Sequence, residues 1–238
     1  MEENRYERHF LLDGFGRDGQ KKLSEAKVLI VGVGGLGSPV AMYLASAGIG
    51  KIGLIDADVV DVTNLQRQII HSESSVGVDK VVSAKSRIAE LNSETEVITY
   101  NFFFDVNNAE SIAAEYDFIV DCADNNPTKF LINDVCVKLR KPFCHGSITE
   151  YSGRVFTHIP STACYRCLFD EDDEPSKKRG VLGASVGIIG SIQATEVIKY
   201  FTGIGTLLTN SLLTLDVRTM NFFRLKMNPS AKCNCHEI

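Results

Sequence analysis

The apolar positions of this chain switch repeatedly between two periods. Lys27–Gly32 (KVLIVG) is a β-branched run closed by glycine, the pattern of a strand buried on both faces. Over Leu36–Gly48 small and apolar residues recur at helical spacing, with Pro39 tolerated in the first turn. The alternation continues with a strand at Lys51–Asp56 (KIGLID), an amphipathic helix at Asp79–Leu91 and a strand at Thr95–Asn101. Asp117–Asp121 (DFIVD) reads as a fourth strand, Thr128–Leu139 as a helix and Pro142–Ser147 as a fifth strand. Strands separated by helices predict an α/β fold with a doubly wound, Rossmann-like, mostly parallel sheet.

After Ser147 the texture changes. Gly153–Ile159 (GRVFTHI) and Leu212–Val217 read as strands without crossover helices, and Gly183–Phe201 as a long, glycine-rich, apolar helix. This predicts an antiparallel C-terminal extension of the same sheet rather than a second domain. No linker, repeat or low-complexity tract interrupts the chain.

Composition narrows the picture. At 238 residues the chain can bury a full core, and 44% hydrophobic with 23% charged residues is the balance of an ordinary soluble globule. A net charge of -5 argues against nucleic acid as a partner. No apolar run approaches the roughly 20 residues of a membrane span. The polar start, MEENRYERHF, has neither signal nor transit character, so a cytoplasmic, reducing location is expected. There the seven cysteines are expected as thiols or metal ligands rather than disulfides.

Two features add chemistry. Val31–Ser38 (VGVGGLGS) places Gly32, Gly34 and Gly37 in Gly-x-Gly-x-x-Gly spacing between a strand and a helix, where missing side chains let backbone N–H groups approach a phosphate. Asp56 ends the next strand, 19 residues past Gly37, where dinucleotide folds carry a ribose-binding carboxylate. Nucleotide binding follows, although the loop alone leaves an NAD-dependent dehydrogenase open. The second feature decides between nucleotides. Arg67 and Lys80 follow Asp56, and Asp124 lies just past the fourth strand, where open α/β sheets bind ligands. Hydride transfer needs no such cations. An enzyme that splits ATP between the α- and β-phosphates needs them, with Mg2+, to meet the charge of the transition state.

The segments RYERHFLLDGFGRDGQ, VLIVGVGGLGS, LIDADVVDVTNLQRQIIH, VGVDK, VDCADN, CYRCL and GIIGSIQATEVIK together resemble the ThiF/MoeB/HesA family over residues 5–235. The resemblance implies ATP-dependent adenylation of the C-terminal glycine carboxylate of a small ubiquitin-like sulfur-carrier protein, MoaD-like or ThiS-like and ending in Gly-Gly. Pyrophosphate is released, and the pathway would be molybdopterin or thiamine-thiazole biosynthesis. It implies nucleotide contacts at Gly32, Gly34, Gly35, Gly37, Asp56, Asp58, Asn64, Gln66, Arg67, Lys80, Asp124 and Asn125. Of these, Asp56 would meet the ribose, Asn64, Arg67 and Lys80 the phosphates, and Asp124 the Mg2+. Arg8 would be an arginine finger supplied across a homodimer. One domain, 1–238, is implied: a helical arm (1–26), a nucleotide-binding half (27–147) and an extension with a zinc site (148–238). Adenylation of a peptide or tRNA base by a divergent relative, and a non-catalytic nucleotide-binding scaffold, are the alternatives. Retention of Arg8, Arg67, Lys80 and Asp124 together speaks against the scaffold.

The family's structural Zn2+ sits on two Cys-x-x-Cys pairs. Cys164 and Cys167 supply one pair, whereas the tail, Lys232-Cys-Asn-Cys-His236, departs from the second. Cys233 and Cys235 are the first choice for the remaining ligands, with His236 the alternative. Cys122, Cys136 and Cys144 fall within apolar patterns and are expected as buried small hydrophobes, and His71 and His145 receive no role. Many relatives carry a cysteine in the loop after CYRCL. Phe169–Arg179 is shorter here and has Ser-Lys-Lys-Arg at that place, which excludes a sulfur relay through this loop.

Overall fold

The computed structural model describes residues 5–170, 180–230 and 233. Eight strands form one sheet: β1 (Lys27–Val31), β2 (Lys51–Ile55), β3 (Glu96–Tyr100), β4 (Phe118–Asp121), β5 (Phe143–Thr149), β6 (Ser152–His158), β7 (Ser211–Asp216) and β8 (Asn221–Lys226), in the spatial order 3-2-1-4-5-6-7-8. The first five are mutually parallel and the last three pair antiparallel. The expected architecture is therefore present.

The helices are α1 (Glu7–Phe10), α2 (Gly16–Glu25), α3 (Gly37–Ala47), α4 (Lys80–Leu91), α5 (Ala109–Ala114), α6 (Asn126–Lys138) and α7 (Gly183–Thr202). Side chains of a strand alternate between sheet faces, and here the alternation feeds two cores. Val28, Ile30, Ile52, Leu54, Phe118 and Val120 face the layer of α3, α4 and α7. Leu29, Val31, Ile55 and Ile119 face the layer of α5 and α6. Both faces of the central strands are apolar because both are covered, which is why they read as continuous hydrophobic runs. Gly53 interrupts β2 for a packing reason: a side chain there would stand 2.3 Å from the Tyr116 hydroxyl.

Register brings the strand ends together. Val31 is level with Ile55 and Asp121, Ile55 with Tyr100, and Asp121 with His145. The glycine loop, Asp56 and the segment leading to Asp124 therefore emerge on one edge of the sheet.

Two elements carry no sequence signal. The six residues of α5 are too few to establish a helical period. All six residues of β8 are exposed, so no inside-outside alternation marks it. Among the described residues no helix is long and apolar enough to cross a membrane.

Gly190 of α7 sets how closely that helix meets the start of α3. A side-chain carbon there would fall 2.4 Å from Pro39 Cγ and 2.8 Å from the Leu36 carbonyl oxygen. Helix propensity alone would make Gly190→Ala stabilising by about 1 kcal/mol. The contact reverses the sign, and a loss of about 1–3 kcal/mol is expected. A guanidinium unfolding midpoint equal to or above that of the unsubstituted chain would refute this account.

Candidate nucleotide site and cysteine cluster

The glycine loop is shaped by close backbone contacts. Gly32 has φ +95°, and a Cβ there would lie 2.7 Å from the Cys122 carbonyl oxygen. At Gly37 a Cβ would approach the Gly32 carbonyl oxygen to 2.1 Å, so the turn into α3 admits no side chain. The peptide N–H of Val33 donates to Asp56 Oδ2 at 2.7 Å, and Asp56 Oδ1 accepts the Asp58 N–H at 2.9 Å. The Val33 carbonyl is taken by His71 Nε2 at 3.0 Å. Among the described residues the N–H groups of Gly34, Gly35 and Leu36 have no acceptor. These donors precede α3, where the helix dipole adds positive potential.

Two cations border the loop. Lys80 is only 6% exposed and pairs with Asp58 Oδ2 at 2.7 Å. Its charge also reaches Asp56. Burial raises the pKa of that carboxyl, while Lys80 and the two N–H bonds pull it back. Arg67 passes beside Gly35 and hydrogen-bonds the Thr63 carbonyl at 3.1 Å. Asn64 lies in the same short turn, its side-chain oxygen 3.4 Å from the Asp61 N–H. Gln66 is exposed and its carbonyl lies against Gly183 at the start of α7.

At the end of β4, Asp124 is exposed. Asn125 caps α6, its Oδ1 accepting the Thr128 N–H at 3.0 Å, and its amide nitrogen lies 3.4 Å from Asp124 Oδ1. Beneath them is a buried charge cluster. Asp121 accepts from Lys129 Nζ at 3.1 and 3.2 Å, from His145 Nδ1 at 2.7 Å and from the Ala123 N–H at 3.1 Å. Lys129 also donates to the Gly146 carbonyl, and Gln193 of α7 to the Asp121 carbonyl. Burial would raise the Asp121 pKa, but Lys129 and His145 outweigh it and hold the carboxyl below its ordinary value. Burial, followed by the Lys129 charge, pushes His145 down to about 4. Arg8 lies apart from this group in sequence, exposed on α1.

His71, His145 and Lys129 carry structural weight that the sequence pattern does not assign. Asp121 ends β4 and His145 lies on the neighbouring parallel strand β5, but only the pairing register makes them partners. His71 and Lys129 give no comparable signal.

The cysteine cluster holds Cys164, Cys167 and Cys233, whose sulfurs lie within 4.8 Å of one another. The Cys164–Cys167 separation is 3.8 Å and the Cys164–Cys233 separation 3.3 Å. Four thiolates at about 2.3 Å around one zinc would stand about 3.8 Å apart, so this donor set fits a tetrahedral thiophilic metal. The Ser230 N–H donates to Cys167 Sγ at 3.3 Å, as backbone N–H groups do at thiolate metal sites. Cys235 and His236 lie outside the described residues. Cys122, Cys136 and Cys144 are buried, and burial raises the pKa of each thiol.

The family model described as ThiF family matches residues 6–237. The chain belongs to the ThiF family. The adenylyltransferase and sulfurtransferase MOCS3 of Aedes aegypti is 43% identical over 237 residues, covering 97% of this chain and 54% of that protein. The chain spans about half the length of the curated relatives it matches. Among solved structures, E. coli MccB with MccA-N7isoASN superposes with a TM-score of 0.89 at 26% identity, covering 100% of this chain and 75% of that one. E. coli MccB with ATP gives 0.83 at 25% identity, covering 95% and 75%. A ThiF-family chain thus adopts the observed sheet order.

The buried histidines make a pH prediction. Burial lowers the pKa of His71, His145 and His158 below the ordinary 6.5. Between the folded and unfolded values the unfolded chain binds more protons, so stability rises with pH. This contribution is fully present above about pH 6.5 and is lost as pH falls toward about 4. Asp121, held low, extends the loss to more acidic pH. Thermal melts at fixed ionic strength are expected to show a falling midpoint from pH 7 to pH 5. A flat profile over that range would contradict the buried neutral assignment.

Proposed function

We propose that this ThiF-family chain adenylates the C-terminal glycine carboxylate of a small ubiquitin-like sulfur-carrier protein, using ATP and releasing pyrophosphate. The observation that carries the reading is the placement of Lys80 and Arg67 around a loop whose N–H donors have no acceptor among the described residues. A carrier carboxylate oxygen forms a bond to the α-phosphorus, and the bond to the bridging oxygen breaks as pyrophosphate departs. The nucleophile is already ionised at neutral pH, so no general base is required. The protein's part is positioning and charge compensation.

In this reading the loop N–H groups and Asp56 hold the nucleotide, Asn64, Arg67 and Lys80 meet the phosphates, and Asp58, Gln66 and Asn125 complete the surroundings. Asp124 is accessible at the strand edge and, among the described residues, has a single weak contact, to Asn125, which makes it a fitting place for a hard cation. Bound there, Mg2+ would neutralise phosphate charge. Arg8 would reach the site of a second copy of the chain in a homodimer. The likeness to E. coli MccB, solved together with MccA-N7isoASN, favours a peptide as a second reading.

Arg67→Ala and Lys80→Ala are expected to lower carrier-dependent ATP–pyrophosphate exchange by about 10²–10³-fold each, the loss typical of a transition-state donor. Removing Lys80 leaves Asp58 facing solvent rather than stranded in the core, so the fold should persist. Far-UV circular dichroism checks this. Exchange unchanged in both folded variants would sink the assignment. A panel of carriers ending in Gly-Gly, beside MccA-like peptides, separates the two readings.

Cys164, Cys167 and Cys233 would hold zinc, with the fourth ligand supplied from Cys235 or His236. Zinc at this place would tie the chain after β8 to the turn after β6, since binding at such sites is coupled to folding. About one zinc per chain is expected in the purified protein, and Cys164→Ser should lose it and lower the melting temperature. Purified, folded protein free of zinc would rule the metal out.

A further inference from the structure

We propose that His71 is a positioning residue for nucleotide binding, acting by holding the Val33 carbonyl so that the glycine loop presents its N–H groups. The inference rests on the reading of that loop as the nucleotide site. The imidazole is 7% exposed and bridges two elements, with Nε2 3.0 Å from the Val33 carbonyl oxygen and Nδ1 2.9 Å from Ser83 Oγ. A carbonyl oxygen can only accept, so Nε2 carries the hydrogen. In the neutral ring Nδ1 then accepts the Ser83 hydroxyl. Both partners therefore select one tautomer and one ring orientation.

The position of the bond gives it consequence. Val33 donates its N–H to Asp56 and its carbonyl receives His71, so the backbone on both sides of this residue is fixed. In a continuing α-helix the Val33 carbonyl would receive the N–H of Gly37. His71 occupies that carbonyl instead, and the first backbone bond of the helical pattern runs from Ser38 to Gly34. The His71 bond thus anchors the peptide next to Gly34, Gly35 and Leu36, whose N–H groups have no acceptor among the described residues. Gln68, buried one turn before His71, supports Gly34 from below, its amide nitrogen 3.4 Å from where a Gly34 Cβ would stand.

The other end of the bridge matters as much. Ser83 lies on α4 three residues after Lys80, on the same helix face. The imidazole thus ties the helix that carries the phosphate-facing cation to the loop that carries the backbone donors. Loosening it should let the two halves of an anion site drift apart without unfolding the sheet.

ATP affinity measured by calorimetry without any carrier tests this on the chain as it stands. His71→Ala is expected to weaken ATP binding about tenfold, the effect of one buried hydrogen bond left unmade. His71→Gln can still direct an amide N–H at the Val33 carbonyl, and should return to within about threefold of the unsubstituted affinity. Ser83→Ala should fall between them. Thermal melts identify which variants are folded at the temperature used. Folded His71→Ala protein binding ATP as tightly as the unsubstituted chain would overturn the proposal. So would folded His71→Gln protein no better than His71→Ala. An unsubstituted chain that binds no ATP would instead overturn the nucleotide reading itself.

Discussion

The buried carboxylate of Asp121 is the constraint that ties the end of β4 to the strand and the two helices around it. It ends β4, and partners from three other elements meet it: Lys129 of α6, His145 of β5 and Gln193 of α7, the last through the backbone carbonyl. A charge this deep is tolerated only when paired and hydrogen-bonded, and removing one partner of such a pair typically costs about 3–5 kcal/mol. The end of β4 is therefore tied to α6, β5 and α7 through a point that cannot be rearranged cheaply. Asp121 also caps the backbone at Ala123, which sets the departure of the chain toward Asp124.

The same economy of fixed points governs the glycine loop. Val31 hands the chain from β1 to the loop at the level where β2 and β4 also end. Gly32 then touches the backbone of Cys122, so the loop and the β4 end pack directly on one another. Asp56 and His71 hold Val33 from opposite sides. Backbone donors, a buried lysine and an accessible carboxylate are thus arranged before any ligand arrives. For a reaction whose nucleophile needs no activation, preorganised charge of this kind is what a protein can contribute.

Sequence periodicity is enough for the parallel core because its central strands β1, β2 and β4 are almost wholly buried and helices α3, α4 and α6 are long enough to show their period. It is insufficient where those conditions fail, at the six-residue α5 and at the exposed β8. The glycine spacing and Asp56 are legible because they act locally, within one strand-loop-helix unit. Lys80 and Arg67 are legible only as members of a constellation, since a single lysine or arginine is normally solvated. His71 and His145 are invisible for a different reason. Their partners, Val33 and Asp121, are 38 and 24 residues away, and only the folded register brings them within a hydrogen bond.

The distribution of thiols bears on how the proposed carboxylate activation could be followed by sulfur transfer. Sulfur transfer through a protein cysteine needs an accessible group that ionises readily. Cys122, Cys136 and Cys144 are buried, and their surroundings disfavour the thiolate. Cys164, Cys167 and Cys233 converge on one another, an arrangement suited to sharing a metal rather than to attacking an acyl-adenylate. The loop after Cys167 carries serine, lysine and arginine in place of cysteine. On the proposed function, none of the described thiols is placed to act as the sulfur nucleophile.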